Sequence, residues 1–181
     1  MGRLVGLELH NFKSYKGRCS VGFGDAKFTS IIGPNGAGKS NMMDAISFVL
    51  GVPSLHLRSA TLKDLIYRGH VGLQDPTMAY VTAIYEQDDG EQIHFTRSVS
   101  NASVSEYKIN HKSVTANQYL ATLKRENILI KARNFLVFQG DVEQIASQNP
   151  KDLTRLIETI SGSGELADRY SELKDAKDQA H

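Results

Sequence analysis

Within the run Ser30 to Ile46, "SIIGPNGAGKSNMMDAI", the residues Gly33 to Ser40 fit G-x-x-x-x-G-K-[ST], and no other stretch constrains the fold as much. The pattern demands a strand, a tight glycine loop and a helix in immediate succession. The flanks agree: "KFTSIIG" reads as a strand ending at the loop. Met42, Met43, Ile46, Val49 and Leu50 recur at three- and four-residue spacing, which predicts an amphipathic helix from about Lys39 to Leu50, stopped by Gly51 and Pro53. Gly33 and Gly38 permit backbone angles that side chains forbid, so successive loop amides can turn inward on a phosphate at the positive end of the helix. Lys39 adds a point charge between β- and γ-phosphates, and the Ser40 hydroxyl can take one coordination place on Mg²⁺. Gly33, Pro34, Asn35, Gly36, Ala37, Gly38, Lys39 and Ser40 are therefore the expected phosphate cradle, with ATP and Mg²⁺ as cofactors. The plainer alternative is a glycine-rich turn that packs a strand on a helix.

Length limits what can surround this loop, because 181 residues suffice for one well-cored domain with an appendage. Twenty-one Lys and Arg against 20 Asp and Glu leave a formal charge of +1, which gives no overall electrostatic footprint for nucleic acid. Lys112, Lys124, Arg125, Lys131 and Arg133 make the second half loosely basic, as a DNA-facing or simply solvated surface would be. The lone Cys19 cannot form an internal disulfide, which fits a reducing compartment. The opening "MGRLVGLELHNF" alternates instead of forming a signal-peptide core, and no run of about 18 apolar residues could span a membrane. A soluble intracellular protein with no membrane partner is expected.

Leu4, Gly6, Leu7, Leu9 and Phe12 open a first strand and "GRCSVGFG" a second. "HLRSATLKDLIYRG" gives a loop and a short helix with Leu62, Leu65 and Ile66 on one face, ended by Gly69. "AYVTAIYEQDDGEQIHFTRSVS" is a hairpin about Asp-Asp-Gly, and "EYKINHKSV" repeats the device around Asn110, so an antiparallel layer follows. Thr115 can cap a helix through Glu126 that shares Tyr119, Leu120 and Leu123 on a face. "NFLVF" reads as a short buried strand, "DVEQIASQ" as a short helix, and Pro150 starts another helix through Ile160. After Gly162 and Gly164, a polar helix carries Leu166, Tyr170 and Leu173 at four- then three-residue spacing, the beginning of a heptad seam.

Hydrolysis would require an acid at the end of a second apolar strand, a group to orient water and a stabiliser of transition-state charge. "FLVFQGD" comes closest, but Gln139 follows its apolar run, and "AIYEQDD" belongs to the hairpin. The chain alone thus lacks the acidic partner. A stand-alone P-loop kinase and a non-catalytic ATP-binding scaffold remain alternatives to an ATPase component.

"IIGPNGAGKSNMMDAISFVLG", "LRSATLKDLIYRG" and "NFLVFQGDVEQIA" together resemble the N-terminal half of a structural-maintenance-of-chromosomes (SMC) ATPase head of cohesin type. The resemblance spans nearly the whole chain. It implies an α/β fold, half of an ABC-type P-loop ATPase head with a mixed sheet, an antiparallel β-layer and the start of a coiled coil. Residues 1–162 would be the lobe and 163–181 the start of the arm. It implies further that Gln139 contacts Mg²⁺ and senses the γ-phosphate, that Arg58 lies near the phosphates, and that Lys13 and Ser14 lie beside the nucleotide. Taken residue by residue, Arg58 also suits simple solvation, Gln139 a cap on the Asp141 helix, and Lys13 with Ser14 ordinary surface; Tyr67 and Arg68 could meet adenine or ribose or merely pack. The missing acid would belong to the C-terminal half of the same head, together with the signature motif, which "SGSGE" at Ser161 is not. Expected partners are that half, a second SMC head in a heterodimer, a kleisin subunit met mainly through the C-terminal half, and DNA on the engaged heads. A chromosomal, nuclear role follows from the same resemblance, in which ATP clamps two heads and hydrolysis releases them.

Overall fold

The computed structural model describes residues 2–25, 28–52, 57–69, 75–128, 137, 143 and 146–179. They fall into two compact units, Met1–Glu126 and Asn127–His181.

The first unit is built on one sheet of β1 (Arg3–Phe12), β2 (Tyr15–Gly22), β3 (Met78–Glu86), β4 (Gln92–Ser100), β5 (Ser105–Ile109) and β6 (Lys112–Val114). Their order is β2-β1-β3-β4-β5-β6, and every neighbouring pair is antiparallel. Both expected hairpins form, β3–β4 across Asp88–Gly90 and β5–β6 across Asn110 and His111. Strand periodicity of two puts Leu7 and Leu9 opposite Ala83 and Val81, with Phe95 and Val99 on the same buried face. Glu8, Tyr80, Thr96 and His94 alternate on the other face.

Helix α1 (Lys39–Val49) follows the glycine loop and buries Ala45, Phe48 and Val49. Helix α2 (Ala116–Arg125) begins at a reciprocal cap: Thr115 Oγ1 accepts the Gln118 amide, while the Gln118 side chain accepts the Thr115 amide at 3.0 Å. It buries Tyr119 and Leu123, four apart; Leu120, expected on the same face, is exposed. The short helix expected after Arg58 is a single 3₁₀ turn, Leu62–Leu65, because Ile66 leaves helical geometry to bridge Phe12 at the end of β1.

One expected strand does not form. Phe28 to Gly33 join no ladder, and Phe28 and Ile32 are 84% and 90% exposed. A strand apolar on both faces needs flanking strands and covering layers, and the described residues supply neither to this segment.

In the second unit, α3 (Pro150–Ser161) is capped by Asn149, whose Oδ1 accepts the Asp152 amide at 3.0 Å, and Gly162 ends it at φ 73°. A 3₁₀ turn, Ser163–Leu166, leads into α4 (Ala167–Gln179). Leu153, Ile157 and Ile160 on α3 are exposed, as are Leu166, Tyr170 and Leu173. Except for Val137, the strand expected at 134–138 lies outside the described residues, as does half of the helix expected at 141–148; within the latter, the Ser147 amide donates to the Glu143 carbonyl at 3.0 Å.

Candidate nucleotide-binding site

The loop closes through an Ala37 amide to Pro34 carbonyl bond of 3.2 Å. Gly36 and Gly38 hold φ of 84° and 94°, left-handed values that explain why glycine stands at both, whereas Gly33, expected with Gly38 to need such an angle, does not take one. Gly38 is also the residue before α1, and no side chain caps that helix. An uncapped first turn leaves backbone amides available, and the helix dipole makes the position attractive to an anion. The Lys39 ammonium donates to the carbonyls of Gly33 and Pro34 at 2.7 and 2.8 Å, so it lies over the loop that precedes it. Ser40 is exposed in the first turn. Left-handed glycines, uncapped amides, an ammonium and a hydroxyl at one helix end fit a phosphate chain and one oxygen ligand for Mg²⁺.

The turn between β1 and β2 is fastened to this structure through three successive residues. Tyr15 donates its hydroxyl to the Gly38 carbonyl at 3.1 Å, Ser14 Oγ accepts from Asn41 Nδ2 at 2.9 Å, and Lys13 reaches Asp44. The fit is close: a Cβ at Gly38 would stand 3.1 Å from Ser14 Oγ and 3.3 Å from the Tyr15 hydroxyl. Ser14 thus packs beside Gly38, whereas Lys13, expected beside the nucleotide, turns to Asp44 and the Leu57 carbonyl.

Asp44, one helical turn after Ser40, joins this turn to a second loop. Its side chain is 2% exposed. It accepts Lys13 Nζ at 2.5 Å, Arg58 Nη2 at 2.6 Å and Arg58 Nε at 3.2 Å, while Lys13 Nζ also donates to the Leu57 carbonyl at 2.6 Å. A buried carboxylate without partners would cost several kcal/mol; two cations and three hydrogen bonds offset that here. Lys13 and Arg58 each hold a left-handed backbone, φ 48° and 50°, uncommon for residues with a Cβ. Lys13 is 11% exposed and Arg58 56% exposed at the side chain, so the first is a buried counter-ion and the second keeps an open side.

Sequence reasoning missed Tyr15, Asn41 and Asp44. Only Asp44 carried a signal, an acid within a helix whose flanking turns are apolar. Gln139 lies outside the described residues. Arg68 is paired with Asp64 at 2.7 Å, and Asp64 accepts the Thr61 amide and hydroxyl, so both serve the 3₁₀ turn. Hydrogen bonds from the Thr61 hydroxyl and amide hold the Asp64 carboxyl below its ordinary pKa, against a small opposing effect of burial. No group of three His, Cys, Asp or Glu among the described residues could hold a metal. No helix among them is long and apolar enough to cross a membrane.

Residues 3–163 match the family model described as the RecF/RecN/SMC N terminal domain. The chain is 55% identical to structural maintenance of chromosomes protein 1 of Schizosaccharomyces pombe over 99% of its length, and 55% identical to the protein of that name from Saccharomyces cerevisiae over 97%. It spans 15% of the length of either relative. Among solved structures it resembles the Smc head domain of Pyrococcus furiosus, with an extended coiled coil and bound to the C-terminal domain of ScpA, at a TM-score of 0.82 and 31% identity over 99% of this chain and 48% of that one. The chain therefore belongs to the RecF/RecN/SMC N-terminal-domain family and has the ABC-type P-loop fold of an SMC head's N-terminal lobe.

Proposed function

We propose that the chain is the ATP-binding N-terminal lobe of a cohesin-type SMC head, and that ATP held at Gly33–Ser40 clamps this head to a second SMC head. The observation that carries the reading is the uncapped start of α1 behind two left-handed glycines, with Lys39 over the loop. Loop and first-turn amides bind the β-phosphate. Lys39 exchanges the carbonyls of Gly33 and Pro34 for phosphate oxygens, and Ser40 offers its hydroxyl to Mg²⁺. Bound ATP–Mg²⁺ supplies a γ-phosphate that both heads can touch, and hydrolysis removes that shared contact. Gln139 would report the γ-phosphate, and Arg58 would act where charge redistributes during transfer.

Residues 1–162 form the lobe in this reading and 163–181 begin a coiled-coil arm, consistent with the exposed Leu166, Tyr170 and Leu173. The acid that activates water comes from the C-terminal half of the head. The exposed Phe28 and Ile32 suit the same half, because its strands would complete the sheet beside the loop. A kleisin subunit bound mainly to the C-terminal half, DNA on engaged heads and a nuclear role in sister chromatid cohesion complete the proposal. Similarity to the two yeast proteins and to a head bound to ScpA supports it.

The test is calorimetric titration of ATP–Mg²⁺ into the completed head, with Lys39→Ala as the control. Among the described residues Lys39 donates to its own loop, so the variant should keep its stability within about 0.5 kcal/mol and lose measurable ATP binding. Unchanged affinity would refute the site. Steady hydrolysis by the 181-residue chain alone, abolished by Lys39→Ala, would refute the half-site reading.

A further inference from the structure

We infer that Asp44 is the positioning residue of this site: anchored by Lys13, it holds Arg58 in the orientation in which the guanidinium serves the phosphates. The inference rests on the nucleotide-binding reading and adds to it a residue that never touches the nucleotide.

Asp44 stands on the helix that carries Lys39 and Ser40, so its carboxylate is fixed in the frame of the phosphate loop rather than in that of a mobile segment. Its 2% exposure leaves it no access to solvent or to a metal. Its partners divide into two kinds. Lys13 is 11% exposed and reaches both Asp44 and the Leu57 carbonyl, closing a charge-neutral pair and tying down the residue immediately before Arg58. Arg58 uses Nε and Nη2 together, the fork geometry that fixes a guanidinium plane as well as its position. With 56% of its side chain still exposed, Arg58 is held by one edge while the rest remains open. A single hydrogen bond would leave that plane free to rotate; the forked pair does not.

The consequence separates binding from turnover. Replacing Asp44 by Asn removes one negative charge beside an anion site, so ATP affinity does not fall for electrostatic reasons. The forked restraint on Arg58 is lost, and turnover falls because correctly placed charge matters most in the transition state. Loss of an outer partner commonly costs about 10- to 100-fold in activity.

The test is a double-mutant cycle in the full-length protein assembled with its partner head, measuring turnover per titrated ATP site. Asp44→Asn should lower kcat about 10- to 100-fold with ATP affinity retained, and on an Arg58→Ala background it should lower kcat less than about twofold, because its target is already gone. If Asp44→Asn does not fold, Asp44→Glu, which keeps the charge but shifts the fork, replaces it in the same cycle. Equal losses on the two backgrounds would overturn the inference, as would a kcat unaffected by Asp44→Asn. A wild-type assembly that binds no ATP would instead overturn the nucleotide reading itself.

Discussion

Arg97 offers a test of how the far end of α1 is held. Its side chain is 7% exposed, donates to the Phe48 carbonyl at 3.0 Å and to Ser105 Oγ at 3.4 Å, and lies 4.4 Å from the Phe48 ring centroid and 5.3 Å from that of Tyr107. No carboxylate among the described residues is paired with it, and burial lowers its pKa despite the opposing influence of Tyr107 and Tyr119. Replacing Arg97 with Met removes a charged hydrogen bond worth about 1.5 kcal/mol, at the low end because the Phe48 carbonyl keeps the Gly51 amide at 3.1 Å. It also removes ring contacts worth about 3 kcal/mol together. Against this stands the release of a buried guanidinium, several kcal/mol in the opposite direction. The terms nearly cancel, so Arg97→Met should lie within about 2 kcal/mol of wild type. Arg97→Ala forfeits the same contacts and leaves a cavity, adding about 2–5 kcal/mol. Urea unfolding of the completed head measures both. A Met variant as damaged as the Ala variant would show that the charge, rather than the volume, holds β4 on α1, and the reasoning would fail.

Gly38→Ala should abolish ATP binding even with Lys39 intact, since φ of 94° and Cβ approaches of 3.1 and 3.3 Å to Ser14 and Tyr15 oppose any side chain; near-normal affinity by calorimetry would contradict the loop geometry. Stability should also fall in acid through Glu8. Burial raises that carboxyl, but hydrogen bonds from Arg18 and Tyr80 outweigh it, leaving a pKa below the ordinary 4.5. A depressed carboxyl contributes stability above its unfolded value and loses it as pH falls through the folded one, so Glu8→Gln should flatten thermal stability against pH only below about 4.5; a difference confined to neutral pH would contradict this.

The elements most legible in the sequence were those whose signals are local. Asp88–Gly90 announces a hairpin, Thr115 and Gln118 announce a helix start, and the loop residues dictate their own turn. What could not be read was set by partners distant in sequence. The apolar run Phe28–Gly33 looks like a strand whether or not strands flank it, so composition could not reveal that it pairs with none of the described strands. The periodicity of α1 shows which side faces inward, yet not that Asp44 belongs there, because the cations that make its burial tolerable lie 31 and 14 residues away. Tyr15 gave no warning at all: one aromatic at a strand start has no spacing that points to Gly38.

The anchors of α1 follow a single mechanical logic. Tyr15 and Ser14 hold its start, Asp44 its middle, and Arg97 and the Tyr119 hydroxyl, 2.7 Å from the Val49 carbonyl, its end. Burial pushes the Tyr119 phenol far up in pKa, so it stays a donor throughout the physiological range. These anchors come from β1–β2, β4 and α2, so the antiparallel layer grips the helix at both ends over a length of about 16 Å. A helix held in this way cannot accommodate a phosphate by tilting alone. Adjustment to an anion at its start falls to side chains such as Lys39, whose ammonium rests on the carbonyls of Gly33 and Pro34. The layer thus fixes the start of the helix and leaves the loop's own ammonium as the group with room to respond.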